Sequence, residues 1–379
     1  MVPSRTKAIM TTAPPAPSVY KTATSIGSLG FVPVAVRFRV FETLVEIEGP
    51  ATARDVRDAY LRSCSGGTTD IPPVKLIEDT LIAMAALEWA TLACDNMFGL
   101  NAVTRYLAAT PSAIHGILHF TTEVLLASAF LMPKLEATGF EYPFTELETP
   151  MQHAYKLMGD HKRAGLHTYE IMAENDRMSS FNTFMQGRFG TDLSASERLK
   201  SLGYDLASVI KEARGQSLPT RMVDIGGGRG DILLDLKKSI PGLKPQDLVV
   251  QEFNPDITDI PGITLINWDY SKEESPQPIS GALIYHLSGV LHNLPDLAAA
   301  RLLQKLSIAM APYSRILIHE RLREGAPEGN ATMVVLYGGR ERNLGEWRQL
   351  AELAGLKVTF SGFPEGSRQG VVEMRKIES

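Results

Sequence analysis

Cysteine is almost absent from this chain of 379 residues, which carries only Cys64 and Cys94. Two cysteines so spaced suggest neither a metal-binding set nor a disulfide framework, so a reducing, cytosolic compartment is expected. An excess of basic charge is also missing: 38 Lys and Arg against 43 Asp and Glu give a net charge of −5, and the pI is about 6.0. Nucleic acid is therefore not an expected partner, because phosphate binding needs a concentrated basic face. No run of about twenty apolar residues is evident, which predicts no membrane span. The segment Met1 to Gly27, rich in Pro, Thr, Ser and Ala, lacks the compact apolar core of a signal peptide and reads as a flexible arm. His115 and His119 share a helix face as metal ligands do, but no Glu follows at metalloprotease spacing and no third ligand is evident, so no metal is predicted. With 44% hydrophobic and 21% charged residues, the composition is that of a globular protein long enough for two domains.

Glycine, by contrast, is concentrated at one point. Arg221-Met-Val-Asp-Ile-Gly-Gly-Gly-Arg-Gly230 runs from an apolar strand into glycines and then into the helical Asp231-Ile-Leu-Leu-Asp-Leu-Lys-Lys238. Strand, tight turn and helix start form a cradle for a nucleotide-like ligand, with Gly226, Gly227 and Gly228 allowing close backbone approach. The pattern is D-x-G-G-G-x-G rather than the dinucleotide pattern G-x-G-x-x-G. Asp224 before the glycines repels a pyrophosphate and suits a cationic ligand. Glu252 ends the next apolar run, roughly twenty residues on, where an acid takes ribose hydroxyls. Asp269, in Ile266-Asn-Trp-Asp-Tyr270, closes a third run and is placed to face adenine. Three acids at successive strand ends favour S-adenosylmethionine (SAM) over NAD.

Around this motif, residues 191–379 alternate strand and helix as an α/β, doubly wound, Rossmann-like sheet does, with strands near 221–225, 247–252, 263–267, 281–287, 315–320, 356–361 and 370–375. The last two are expected to pair antiparallel across Phe363-Pro364. Residues 28–107 read as helix, helix, helix, hairpin, with Thr52 capping one helix, a second after Pro72-Pro73, and a hairpin turn at Asp95-Asn96. This is a winged-helix arrangement, which in regulators reads DNA, but it lacks a basic recognition helix. Residues 108–190 form a helical connector punctuated by Met132-Pro133 and Tyr142-Pro143.

Further motifs follow the glycine turn in order. They are Gly281-Ala-Leu-Ile-Tyr-His-Leu-Ser-Gly-Val-Leu-His-Asn-Leu-Pro-Asp296, Ser314-Arg-Ile-Leu-Ile-His-Glu320 and Gly339-Arg-Glu-Arg-Asn343 before Trp347 and Leu350. Together they resemble the SAM-dependent O-methyltransferases of plant caffeate and fungal secondary-metabolite type over roughly residues 145–379. The resemblance places His292 on the family's catalytic base and Glu320 and Glu341 on the carboxylates that orient it. It puts Phe253, Tyr270 and Ser288 beside SAM with the residues above, and makes the N-terminal helical domain a homodimerisation module. Ser179-Ser-Phe-Asn-Thr-Phe-Met185 resembles the substrate-lining helix, so Phe181 and Met185 are acceptor-pocket candidates, with His119, His153 and Leu336. The implied reaction is methyl transfer to a hydroxyl of a small phenolic or polyketide-like molecule. A phenol of pKa about 10 is mostly protonated at neutral pH, and a carboxylate-held histidine removes its proton. The chain departs from the pattern at Ser288, Gly289, Asn293 and Leu294. Those departures open a second reading, a methyltransferase-like pericyclase that binds SAM without spending its methyl group; the retained His292 argues for methyl transfer.

Overall fold

The computed structural model describes residues 16–64, 70–187, 193–254, 257–323, 327–365 and 367–377. The chain forms two compact units, Met1–Leu125 with Arg177–Phe189, and Leu126–Asp176 with Gly190–Ser379.

The first unit is helical. Helices Val32–Arg37, Val40–Ile47, Ala53–Ser63 and Val74–Ala86 precede a small hairpin, β1 (Thr91–Leu92) and β2 (Phe98–Gly99). The expected Thr52 cap is present as a reciprocal pair: the Asp55 N–H donates to Thr52 Oγ1 at 3.2 Å, and the Thr52 N–H to Asp55 Oδ2 at 2.9 Å. Asp95 and Asn96 turn the hairpin with φ of 61° and 55°, a region that Asn and Asp tolerate through local hydrogen bonding. Val32, Phe41, Leu44, Ile77, Leu81, Met84 and Phe98 form its core. Helix Pro111–His119 runs into a π-helical turn, Phe120–Val124, and packs against Met178–Gly187.

Three expectations are corrected here. Residues 16–27 lie in a helix, Ala16–Leu29, rather than in a flexible arm; residues 1–15 lie outside the described ones. Residues 108–190 are not one connector, because residues up to Leu125 and from Arg177 join the first unit while Leu126–Asp176 joins the second. The 27-residue helical stretch Pro111–Ala137 is long and apolar enough to cross a membrane by length and composition, against the expectation of no such run. The sequence conceals it because His, Thr and Glu are interspersed among its apolar residues.

In the second unit β3 (Met222–Ile225), β4 (Leu248–Glu252), β5 (Thr264–Asn267), β6 (Ile284–Ser288), β7 (Arg315–Arg321), β8 (Leu356–Gly362) and β9 (Gln369–Lys376) form one sheet in the order β5-β4-β3-β6-β7-β9-β8. Pairings from β5 through β7 are parallel, and β9 runs antiparallel to both β7 and β8. The buried β3, β4 and β6 are mostly apolar on both faces, as a parallel sheet covered by helices requires, with Asp224, Gln251 and His286 as buried polar exceptions. Strand order reverses between β3 and β6. A crevice outside the carboxyl ends of the strands is the ligand position such a sheet offers, and every predicted cofactor residue lies on or just beyond one of those ends.

Candidate active site

Gly226 leaves β3 with φ of 65°, and a Cβ there would meet Val290 at 2.9 Å, so both conformation and space call for glycine. The turn is tied to β4: the Gly226 N–H donates to the Gln251 carbonyl at 2.8 Å, and the Gly228 N–H to Glu252 at 3.0 Å. Glu252 also accepts from the N–H groups of Phe253 and Asn254, at 2.9 and 3.1 Å. Asp269 closes a local turn by accepting from the Ser271 N–H at 3.0 Å; although burial raises its pKa, the hydrogen bonds from Ser271 and Lys272 bring it below the usual value. Phe253 leaves half its surface exposed, Tyr270 follows Asp269, and Ser288 ends β6. Asp224 is buried and paired through Oδ1 with His286 Nδ1 at 2.7 Å. Its Oδ2, beside the glycine turn, has no hydrogen-bond partner among the described residues. An acid for a diol, an exposed aromatic face and an orphaned carboxylate oxygen together fit an adenosine bearing a positive charge.

His292 sits in a 3₁₀ turn, Leu291–Asn293, just beyond β6. Its Nδ1 lies 3.1 Å from Glu341 Oε1 and 3.5 Å from Glu320 Oε2, all three residues being buried. The carboxylates assign the proton to Nδ1 and leave Nε2 as the proton acceptor. The two acids are not equivalent. Glu320 Oε1 accepts from three successive N–H groups, those of Val290 (3.0 Å), Leu291 (3.0 Å) and His292 (3.4 Å), so Glu320 builds the turn while Glu341 accepts the hydrogen bond from the imidazole Nδ1–H. The donor atoms of the three side chains all lie within 4.8 Å of one another, a set a cation also accepts; here Nδ1 is engaged by Glu341. Asn293 donates to Tyr169 Oη at 3.0 Å and to the Gly289 carbonyl at 3.3 Å, tying the turn at a position where the chain departs from the family pattern.

The predicted acceptor residues fall in both units. In the first, the buried His119 ring lies 5.2 Å from Phe181 and 5.9 Å from Phe184, with Met185 on the same helix as both. Sequence reasoning missed the acid beneath His119: Glu123 Oε2 meets Nδ1 at 3.1 Å and its Oε1 accepts from Arg177 at 2.8 Å. In the second, His153 lies on helix Pro150–Leu157, which packs against Pro327–Tyr337, the helix carrying the buried Leu336. Burial, then Lys134 and Lys156, lowers the His153 pKa. His286 and Arg342 also went unread. A histidine inside the apolar strand β6 was a signal available in the sequence, whereas Arg342 was one charge among several in Gly339-Arg-Glu-Arg-Asn343.

Residues 206–357 match the O-methyltransferase domain family. The O-methyltransferase bfoE of Aspergillus brasiliensis is 46% identical over 361 residues, covering 95% of each chain. Among solved structures, the complex of LepI with SAM has a TM-score of 0.76 at 18% identity, covering 97% of this chain and 90% of that one. The mitomycin 7-O-methyltransferase MmcR has a TM-score of 0.71 at 22% identity, covering 96% and 98%. The likeness to the two structures is one of fold.

Proposed function

This chain belongs to the SAM-dependent O-methyltransferases, and from that premise we propose that it methylates a phenolic hydroxyl on a small, polyketide-like metabolite, with His292 as general base. The observation that carries the reading is the Nδ1 contact between His292 and Glu341 at 3.1 Å, inside a buried pocket of three ionisable groups. A carboxylic-acid acceptor is already ionised at neutral pH and needs no base; a phenol does. Glu341 fixes the tautomer and stabilises the imidazolium that forms when Nε2 takes the phenolic proton. SAM, when bound, supplies an electrophilic methyl group on a sulfonium. Glu252, Asp269, Phe253, Tyr270, Ser288 and the glycine turn are the residues proposed to hold it, and Asp224 Oδ2 is the acceptor for a cationic group. In the unit that carries His292 the proposed acceptor-side residues are His153 and Leu336; Phe181, Met185 and His119 are the candidates of the first unit.

We further propose a cytosolic homodimer built through the first unit. Helix Ala16–Leu29 supports this: it leaves Val19, Tyr20 and Ile26 largely exposed, and positions 19 and 26 share one face.

His292→Ala tests the base. With an acceptor found by screening phenols, kcat is expected to fall by about 10²–10⁴, while SAM affinity by calorimetry stays within about twofold. Loss of SAM binding in the same variant would contradict the assignment.

A further inference from the structure

We infer that Arg342 is the positioning residue for His292, acting on the backbone of the turn rather than on the imidazole. This rests on His292 being the base. Arg342 is fully buried, and its guanidinium donates to the carbonyls on either side of His292, Nη1 to Leu291 O at 2.7 Å and Nη2 to Leu294 O at 2.8 Å. Nε and Nη2 both reach Asp296 Oδ1, at 3.0 and 2.8 Å, and the guanidinium lies 5.4 Å over the Trp347 ring. Four donated hydrogen bonds, two of them to the charged Asp296, and an aromatic face satisfy a cation that would otherwise be costly to bury.

A 3₁₀ turn of three residues has few internal hydrogen bonds and does not hold its own orientation. Here it is clamped from both ends. Glu320 Oε1 gathers the N–H groups at its start, and Arg342 gathers the carbonyls at and beyond Leu291. The clamp and the tautomer-fixing acid belong to adjacent residues, and their segment is itself anchored, since Arg342 forms an isolated parallel bridge with Leu322 just past β7. The Glu341 N–H in turn donates to Asn330 Oδ1 at 3.0 Å. One short segment therefore sets both the place of His292 and the partner of its Nδ1. Lysine at 342 cannot reproduce the fork, because a single ammonium cannot span two carbonyls and a carboxylate in one plane.

The test is ¹H–¹⁵N spectroscopy of histidine-labelled full-length protein, with the His292 signals assigned by their loss in His292→Ala. The wild type is expected to show a single Nδ1–H tautomer, and Arg342→Lys a mixture of tautomers, with SAM affinity by calorimetry within about twofold of wild type. Where an acceptor is in hand, kcat falls about tenfold to a hundredfold with little change in the SAM KM, the cost of displacing a reacting group by about 1 Å. An unchanged His292 tautomer in Arg342→Lys would overturn the proposal, and so would wild-type kcat. Should that variant fail to fold, Asp296→Asn carries the test: its carboxylate is half exposed, so the substitution loosens one anchor of the guanidinium without burying a new charge. A smaller tautomer change in the same direction supports the proposal, and none at all overturns it. Tautomers are read without turnover, so absence of methyl transfer would strike the functional reading and leave this inference to its own result.

Discussion

At Glu123, burial and hydrogen bonding pull one carboxyl in opposite directions. Burial favours the neutral form, but the bonds from His119, Arg177 and Thr122 win and take its pKa from the ordinary 4.5 to about 2. A depressed carboxyl contributes stability that is present above its unfolded value and is lost as pH falls through the folded one. For Glu123 this is about 3 kcal/mol. Urea denaturation should therefore find Glu123→Gln less stable than wild type at pH 7, with the gap closing from about pH 4.5 down towards pH 2; a gap independent of pH would show that the pairing contributes nothing. How legible each residue was depended on how local its signal is. Gly226 to Gly228, Glu252 and Asp269 were readable because a strand end followed by glycine or an acid has a chemical meaning over a few residues. His292, Glu320 and Glu341 could be named from their motifs, but their division of labour could not. Which carboxylate accepts from the imidazole Nδ1–H and which collects backbone N–H groups shows only in the placement, with Nδ1 at 3.1 Å from Glu341 against 3.5 Å from Glu320. Arg342 was unreadable for the opposite reason: an arginine between an acid and Asn343 resembles any solvated charge until the Leu291 and Leu294 carbonyls are seen around it.

The Gly338–Gly339 crossing decides at the scale of elements whether the Glu341 segment can lie against the His292 turn. A Cβ on Gly339 would stand 2.1 Å from the His292 carbonyl oxygen and 2.6 Å from the Asn293 carbonyl carbon, and backbone atoms have no flexible end to yield. Gly339→Ala is expected to destabilise the fold by several kcal/mol, beyond the ~1–3 kcal/mol of ordinary overpacking, and to reduce methyl transfer more than SAM binding. Thermal melting and calorimetry check this, and wild-type melting with wild-type turnover would contradict the close approach. The strands were legible because apolar runs of four to eight residues bounded by glycine, proline or acid suit a buried sheet. The antiparallel pairing of β8 with β9 followed from the short Phe363-Pro364 connection. Ala16–Leu29 was not legible, since Ser, Thr and Gly at helical spacing leave it with weak intrinsic propensity.

The whole molecule divides in a way that no local pattern announces. Each unit takes two separated stretches of chain, and the exchange at Leu125 and Arg177 is set by which helices pack together, such as Met178–Gly187 on Pro111–His119. Composition shows no boundary there, because both sides are helical and mixed in polarity. The fold class was nonetheless readable, since a glycine turn, alternating strands and helices and a closing hairpin admit few topologies. Function at this scale comes down to whether the methyl group leaves SAM. The direct measurement is mass spectrometry of purified protein with SAM and a panel of phenolic and polyketide extracts, following S-adenosylhomocysteine and acceptor together. The account predicts equal amounts of S-adenosylhomocysteine and of a product heavier by one methylene, both abolished in His292→Ala. Intact SAM alongside conversion of a metabolite to an isomer or a dehydrated product would contradict it.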